Sequence, residues 1–237
     1  MKRQYEQLVR GSDFFAGLPP GPMEKVCAAY AVGTAADGGV FFRQEDPAEK
    51  AWLLVLGKVK MAQLTEDGQQ VTLRIIVAGQ MFGGMAALGP GGVYPASAQA
   101  LEDSIALSWN GRMLRELART VPALGMKISE LMYGHVQEMQ TRVRELATEK
   151  VERRIARALL RLASQAGRKE KEGILIDLPL SRQEIAELTG TTLYTVSRVL
   201  SEWERRGMIR TGRERVLIRD AHALVVVAED IPPAEKT

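Results

Sequence analysis

The residues best equipped for chemistry lie between Ser181 and Arg215. If Val196, Val199, Leu200 and Trp203 form the inner face of a helix, its spacing turns Thr192, Leu193, Tyr194, Ser197, Arg198 and Ser201 outward. Those types suit a DNA duplex: Arg bonds guanine N7 and O6 bidentately, Ser and Tyr hydroxyls bond bases or phosphates, and Leu193 meets a thymine methyl. Arg198 is expected to read a base. Arg182, Thr191, Thr192, Arg213 and Arg215 flank the strip and are expected on phosphates, which position a protein without specifying sequence. A single exposed Arg is ordinarily a solvated charge. Here its setting, a pair of capped helices in a basic region, favours base contact.

The elements that must hold this strip are written in capping residues. Ser181-Arg182-Gln183-Glu184 forms a capping box that opens the helix QEIAELTG, and Gly190 ends it. Thr191 or Thr192 caps a second helix running to Arg206, closed by Gly207. Two short helices around a tight glycine turn make a helix-turn-helix. The following MIRTGRERVLIRD reads as two strands folded over Gly212, a wing.

Charge supports that reading. The whole chain of 237 residues carries only +3, but Arg142 to Arg215 holds 17 Lys and Arg against 11 Asp and Glu, net +6, leaving the remainder at −3. One cysteine, Cys27, and two distant histidines, His135 and His222, exclude zinc and iron–sulfur sites built on clustered ligands. The chain has no GxxxxGK[ST], GxSxG or HExxH motif, so an enzyme is not expected. No apolar run approaches the ~18 residues of a membrane helix. The start, MKRQYEQLVRGSDFF, lacks a signal peptide's apolar core, so a cytoplasmic protein without membrane contact is expected.

Upstream, VFFRQ, AWLLVLG, KVKMAQL, QVTLRIIV and ASAQALEDSIALSW read as short strands between glycine turns, a small roll or barrel. Asp67-Gly68 closes a hairpin whose alternating residues are Val59 and Met61, then Val71, Leu73 and Ile75. The run Gly89-Pro90-Gly91-Gly92 marks a corner. From Pro122 the period becomes helical, with Met132, Val136, Met139, Val143 and Leu146 spaced alternately by four and three. So narrow a stripe, flanked by Gln137, Glu138, Gln140, Arg142 and Glu145, suits a two-stranded dimer seam better than an intrachain core. Ile155, Leu159 and Leu162 continue as another helix, ended by a turn from Gly167 to Gly173 carrying RKEKE. The expected organisation is α+β: an effector-sensing roll over 1–121, a dimerisation helix over 122–150, a winged helix-turn-helix over 151–222 and a tail over 223–237.

The order roll, long helix, winged helix resembles the cyclic-AMP receptor protein/FNR family of bacterial transcription regulators over about residues 12 to 220. LSRQEIAELTGTTLYTVSRVLSEWERRGMI is the most specific stretch, and LGKV, AGQMFGG and YPASAQA are similar to the cyclic-nucleotide-binding motif in spacing. The resemblance implies a cyclic-nucleotide-binding-like jelly roll. It also implies a homodimer that reads an inverted repeat in double-stranded DNA, with RNA polymerase as an expected partner. Family members that bind cyclic AMP carry a Glu after the FxG turn and later an Arg-Ser; here Gly84 and Tyr94-Pro95 stand at those positions, so cyclic AMP is not expected. A cyclic phosphate buried there without Arg would lack a counter-charge. Met139 and Gln140 replace the hydroxylated pair that meets adenine, and one cysteine cannot hold the FNR iron–sulfur cluster.

VYPASAQA and TTLYTVSR resemble the nitric-oxide-responsive, haem-associated branch typified by DNR and NnrR. On that resemblance Gly83, Gly84, Met85, Leu88, Tyr94, Met132, His135 and Met139 are expected to line an apolar effector pocket, with His135 as a candidate haem ligand. Two alternatives stay open: a ligand-free or redox-responsive regulator of the same family, and a regulatory scaffold that binds protein rather than DNA.

Overall fold

The computed structural model describes residues 5–89 and 92–231, so Pro90 and Gly91 of the glycine-proline run lie outside the described residues. The chain divides into two compact units, Met1–Met139 and Gln140–Thr237. The division falls inside the long helix rather than at its ends.

The first unit opens with α1 (Glu6–Gly11), a 3-10 turn at Asp13–Phe15 and α2 (Pro20–Ala29). Eight strands follow: β1 (Ala31–Ala35), β2 (Val40–Phe42), β3 (Lys50–Leu56), β4 (Lys58–Leu64), β5 (Gln70–Val77), β6 (Met81–Phe82), β7 (Ser97–Ala100) and β8 (Ser104–Asn110). They form two antiparallel sheets, ordered β1-β8-β3-β6 and β2-β7-β4-β5. AWLLVL reads as an unbroken apolar run because β3 is covered on both faces. Trp52 and Leu54 join Phe42, Val59, Ile76, Phe82 and Ala98 between the sheets. Ala51 and Leu53 point the other way, to a cluster with Phe15, Val26, Leu107, Trp109 and Leu114. Trp109 donates from Nε1 to the Val26 carbonyl at 2.9 Å, which anchors the helical layer to the sheet.

The Asp67-Gly68 hairpin joins β4 to β5, with Gly68 at φ +78°. Its simple alternation does not hold: a register shift between Met61 and Ala62 turns Thr72 inward and leaves Leu73 exposed. Two short helices, α3 (Gly84–Leu88) and α4 (Gly111–Thr120), precede α5 (Pro122–Thr148). Asn110 caps α4 by accepting from the Arg112 and Met113 amides. α5 buries Leu124, and Ile128 and Leu131 pack on the same helical-layer core.

The second unit is built on α6 (Val151–Ala166), with Ile155, Leu159 and Leu162 buried. RKEKE is not a plain turn: β9 (Gly167–Glu170) and β10 (Gly173–Ile176) form a hairpin. Its signal was masked because β9 is exposed throughout and carries no apolar alternation. α7 (Arg182–Thr189) and α8 (Leu193–Arg205) follow, then β11 (Ile209–Gly212) and β12 (Arg215–Ile218), completing a sheet ordered β11-β12-β10-β9. The wing turns at Arg213-Glu214 rather than over Gly212, which pairs with Arg215; Glu214 takes the positive φ of 54°. The expected tail also needs correction. Residues Ala221–Glu229 form α9, capped by Asp220 and burying Leu224 and Ala228.

Candidate nucleic-acid interface and sensor residues

Local grammar sets the two helices. Ser181 Oγ accepts from the Glu184 amide at 3.1 Å while the Glu184 carboxylate accepts from the Ser181 amide at 2.8 Å, the reciprocal capping box. Gly190 closes α7 at φ +61°, a left-handed conformation that a side chain would strain. Thr192, rather than Thr191, caps α8, its hydroxyl accepting from the Thr195 amide at 3.2 Å. Val196, Val199, Leu200 and Trp203 are buried along α8, which fixes the helix's rotation. In consequence Thr192, Leu193, Tyr194, Arg198 and Ser201 are exposed and Ser197 half-buried; Tyr194 is 79% open to solvent.

Arg182, Arg213 and Arg215 are also exposed, and Thr191 is half-buried. The Leu180 amide donates to the Glu214 carbonyl at 3.0 Å, tying the wing turn to the residue before the α7 cap. The Glu204 carboxylate accepts from the Thr211 amide at 2.7 Å and from its hydroxyl at 3.0 Å, tying α8 to β11. The wing turn that carries Arg213 and Arg215 thus lies against the segment that leads into α7, whose first residue is Arg182. The exposed face of α8 presents hydroxyls, an aromatic and an Arg, side-chain types that can bond base edges in a major groove.

The sensor residues stand in different settings. Tyr94 is buried, stacked on Phe42 with centroids 3.7 Å apart, and its hydroxyl donates to the Lys50 carbonyl at 2.6 Å and accepts from the Lys50 amide at 3.1 Å. Gly83, at φ +64°, presses on that pair: a Cβ there would meet the Phe42 ring at 3.0 Å and the Tyr94 ring at 3.1 Å. Gly84 is buried behind it, Leu88 packs on the helical-layer core and Met85 is exposed. Met132 and Met139 instead lie on the open stripe of α5.

His135 stands apart again. Its ring nitrogens lie 3.1 and 3.3 Å from Arg74 Nη1, and Nδ1 lies 3.8 Å from the Glu138 carboxylate. A haem needs an apolar slot and an axial nitrogen open to iron. With a guanidinium against its ring and a carboxylate beside it, His135 does not fit that role. Among the described residues no group of three or more His, Cys, Asp or Glu converges as a metal site.

Residues 34–121 match the cyclic nucleotide-binding domain and residues 153–226 the Crp-like helix-turn-helix domain. The Cyclic AMP receptor protein of Thermus thermophilus is 30% identical over 220 residues, covering 93% of this chain and 98% of that one. The chain belongs to the CRP/FNR family of transcription regulators. A CRP-family transcriptional regulator of Thermus thermophilus, TTHB099, superposes with a TM-score of 0.69 at 28% identity, over 83% of this chain and 96% of that one. FixK2 of Bradyrhizobium japonicum shares the fold at a TM-score of 0.75 and 22% identity, over 84% of this chain and 97% of that one.

As a CRP/FNR-family regulator the protein is a DNA-binding transcription factor with a sensing domain, not an enzyme. Sequence reasoning missed a residue that braces the helix-turn-helix. Arg154 of α6 donates to the carbonyls of Glu149 at 3.0 Å, Thr189 at 3.0 Å and Gly190 at 3.3 Å, fixing the turn between α7 and α8. Its signal lay only in its position two turns before the buried Leu162, on the α6 face that meets the turn.

Proposed function

We propose that this regulator works as a homodimer that reads an inverted repeat, with Arg198 on a guanine and Arg182, Thr191, Thr192, Arg213 and Arg215 on phosphates. The observation that carries the reading is the exposed face of α8, fixed outward by four buried apolar residues and flanked by the tied wing. Support for the dimer comes from α5. Met132, Val136, Met139, Val143 and Leu146 are each 41–66% exposed in the single chain, an apolar stripe at heptad spacing that a second copy would cover. RNA polymerase is the expected downstream partner, in the compartment that holds the chromosome.

Two relatives carry cyclic AMP in their names, the Thermus receptor and the cAMP-activated global regulator of Mycobacterium tuberculosis, 25% identical over 219 residues. This chain's effector is a different one: Tyr94 fills the roll beside Phe42, with Gly83 packed on both rings. That filled interior also favours the ligand-free reading for the nucleotide seat. Haem-based nitric oxide sensing of the DNR/NnrR kind would need a seat other than His135.

Selection of bound duplexes from a random pool, followed by titration of two variants, tests the proposal. Arg198→Ala should weaken the selected site by about 1–3 kcal/mol and relax choice at one guanine, while Arg213→Ala lowers affinity across all sequences and flattens the salt dependence. Equal losses on specific and random duplex for both variants would refute the assignment of roles.

A further inference from the structure

The first unit holds a cavity of about 370 Å³ that the DNA-binding reading does not use. It lies between the β5–β6 turn, the 3-10 turn and α5, with Arg74 reaching in from β5. Its apolar lining is Phe14, Met81 and Leu131, at the margin of the helical-layer core. The charges around it are arranged unevenly. Arg74, His135 and Lys127 are only 20–26% exposed, whereas the carboxylates that face them, Glu138, Glu130 and Asp13, are 59–95% exposed. The basic side chains are planted and the acids stand at the rim.

The rim contacts are also loose. Glu138 lies 3.7 Å from Arg74 Nη1 and Asp13 lies 3.6 Å from Lys127 Nζ, both beyond hydrogen-bond length; only Glu130 approaches Lys127 closely, at 3.1 Å. With the carboxylate of each pair in solvent and two of the three contacts beyond hydrogen-bond length, such pairs contribute about 1 kcal/mol or less, and an incoming anion competes with them at little cost. A carboxylate or phosphate on a half-buried guanidinium gains a charge-assisted, bidentate contact in return.

One residue keeps the space open. Gly134 lines the cavity from the middle of α5, where glycine costs about 1 kcal/mol relative to Ala, yet a Cβ there would meet nothing within 4 Å. Close packing therefore does not account for the glycine; the volume it leaves empty is cavity.

We propose that this cavity binds a small organic dianion, two carboxylates or a carboxylate and a phosphate joined by a short carbon chain. One anionic group sits at Arg74 and His135, the other at Lys127, and the chain lies over Phe14, Met81 and Leu131. Lys127 and His135 are eight residues apart on α5, about 12 Å along the axis at ~1.5 Å per residue. A single inorganic anion reaches only one of the two ends, Arg74 with His135 or Lys127.

Isothermal titration calorimetry on the full chain, without DNA and at constant ionic strength, tests this apart from any role in transcription. The probes are succinate, glutarate and adipate, with inorganic phosphate and dimethyl glutarate as comparators. Saturable binding is expected for at least one diacid, weakened about tenfold or more in both Arg74→Gln and Lys127→Gln. Gly134→Leu should abolish it without lowering the melting temperature, since it adds a helix former in open space. No saturable heat with any diacid, undiminished binding in the variants, or phosphate binding as tightly as the diacids would each overturn the proposal.

Discussion

Val143→Glu puts the dimer seam to the most direct test. In the single chain the Val143 side chain is 66% exposed, so its substitution should leave the fold of one protomer intact. In a two-fold pair it would be covered. Full burial of a Val contributes about 1.5–3 kcal/mol, and two thirds of that is lost from each protomer, about 1–2 kcal/mol. Two carboxylates then face one another across the seam, each costing at least ~2 kcal/mol to remove from water. The sum is about 6 kcal/mol or more, a weakening of the dimer by roughly 10⁴-fold. Sedimentation velocity at a concentration where the parent is dimeric should show a monomer, with far-UV circular dichroism and melting temperature of the protomer unchanged. A Val143→Glu protein that stays dimeric with parental affinity would refute the seam. A variant that unfolds would show that the stripe belongs to the chain's own core.

Tyr94→Phe should lower stability by about 1–2 kcal/mol at neutral pH, because both hydrogen bonds to Lys50 go. It should also change the alkaline limb. Burial, the leading cause, raises the Tyr94 phenol above its usual value near 10, so the unfolded chain releases the proton first. The stabilisation is complete below pH ~10 and is lost as pH rises toward the folded value, so urea denaturation of the parent should steepen there relative to the variant. Identical slopes would remove Tyr94 from the account. Arg154→Ala should destabilise the second unit by about 2–4 kcal/mol in denaturant titrations, since three carbonyls lose a charged donor; a change below about 0.5 kcal/mol would show that the turn holds without it.

What could be read from the sequence and what could not follows from the reach of each signal. Caps are local, so Ser181, Glu184, Gly190 and Thr192 announced α7 and α8, and with them the orientation of Arg198. The α5 stripe was legible because its period persists over fifteen residues from Met132 to Leu146. β9 was not, since an exposed edge strand of charged residues carries no alternation, and α9 was passed over as tail although Asp220 caps it. The sensor half was the least legible. Whether Tyr94 opens toward a ligand or stacks on Phe42 depends on long-range packing, and the pairing of His135 with Arg74 joins residues sixty-one positions apart.

The three carbonyls gathered by Arg154 belong to the bend just past the long helix, to the last residue of α7 and to the turn that follows it, so one side chain ties three separate points of the second unit together. One guanidinium, together with the buried face of α8, thus helps to set the pose of the groove-reading strip.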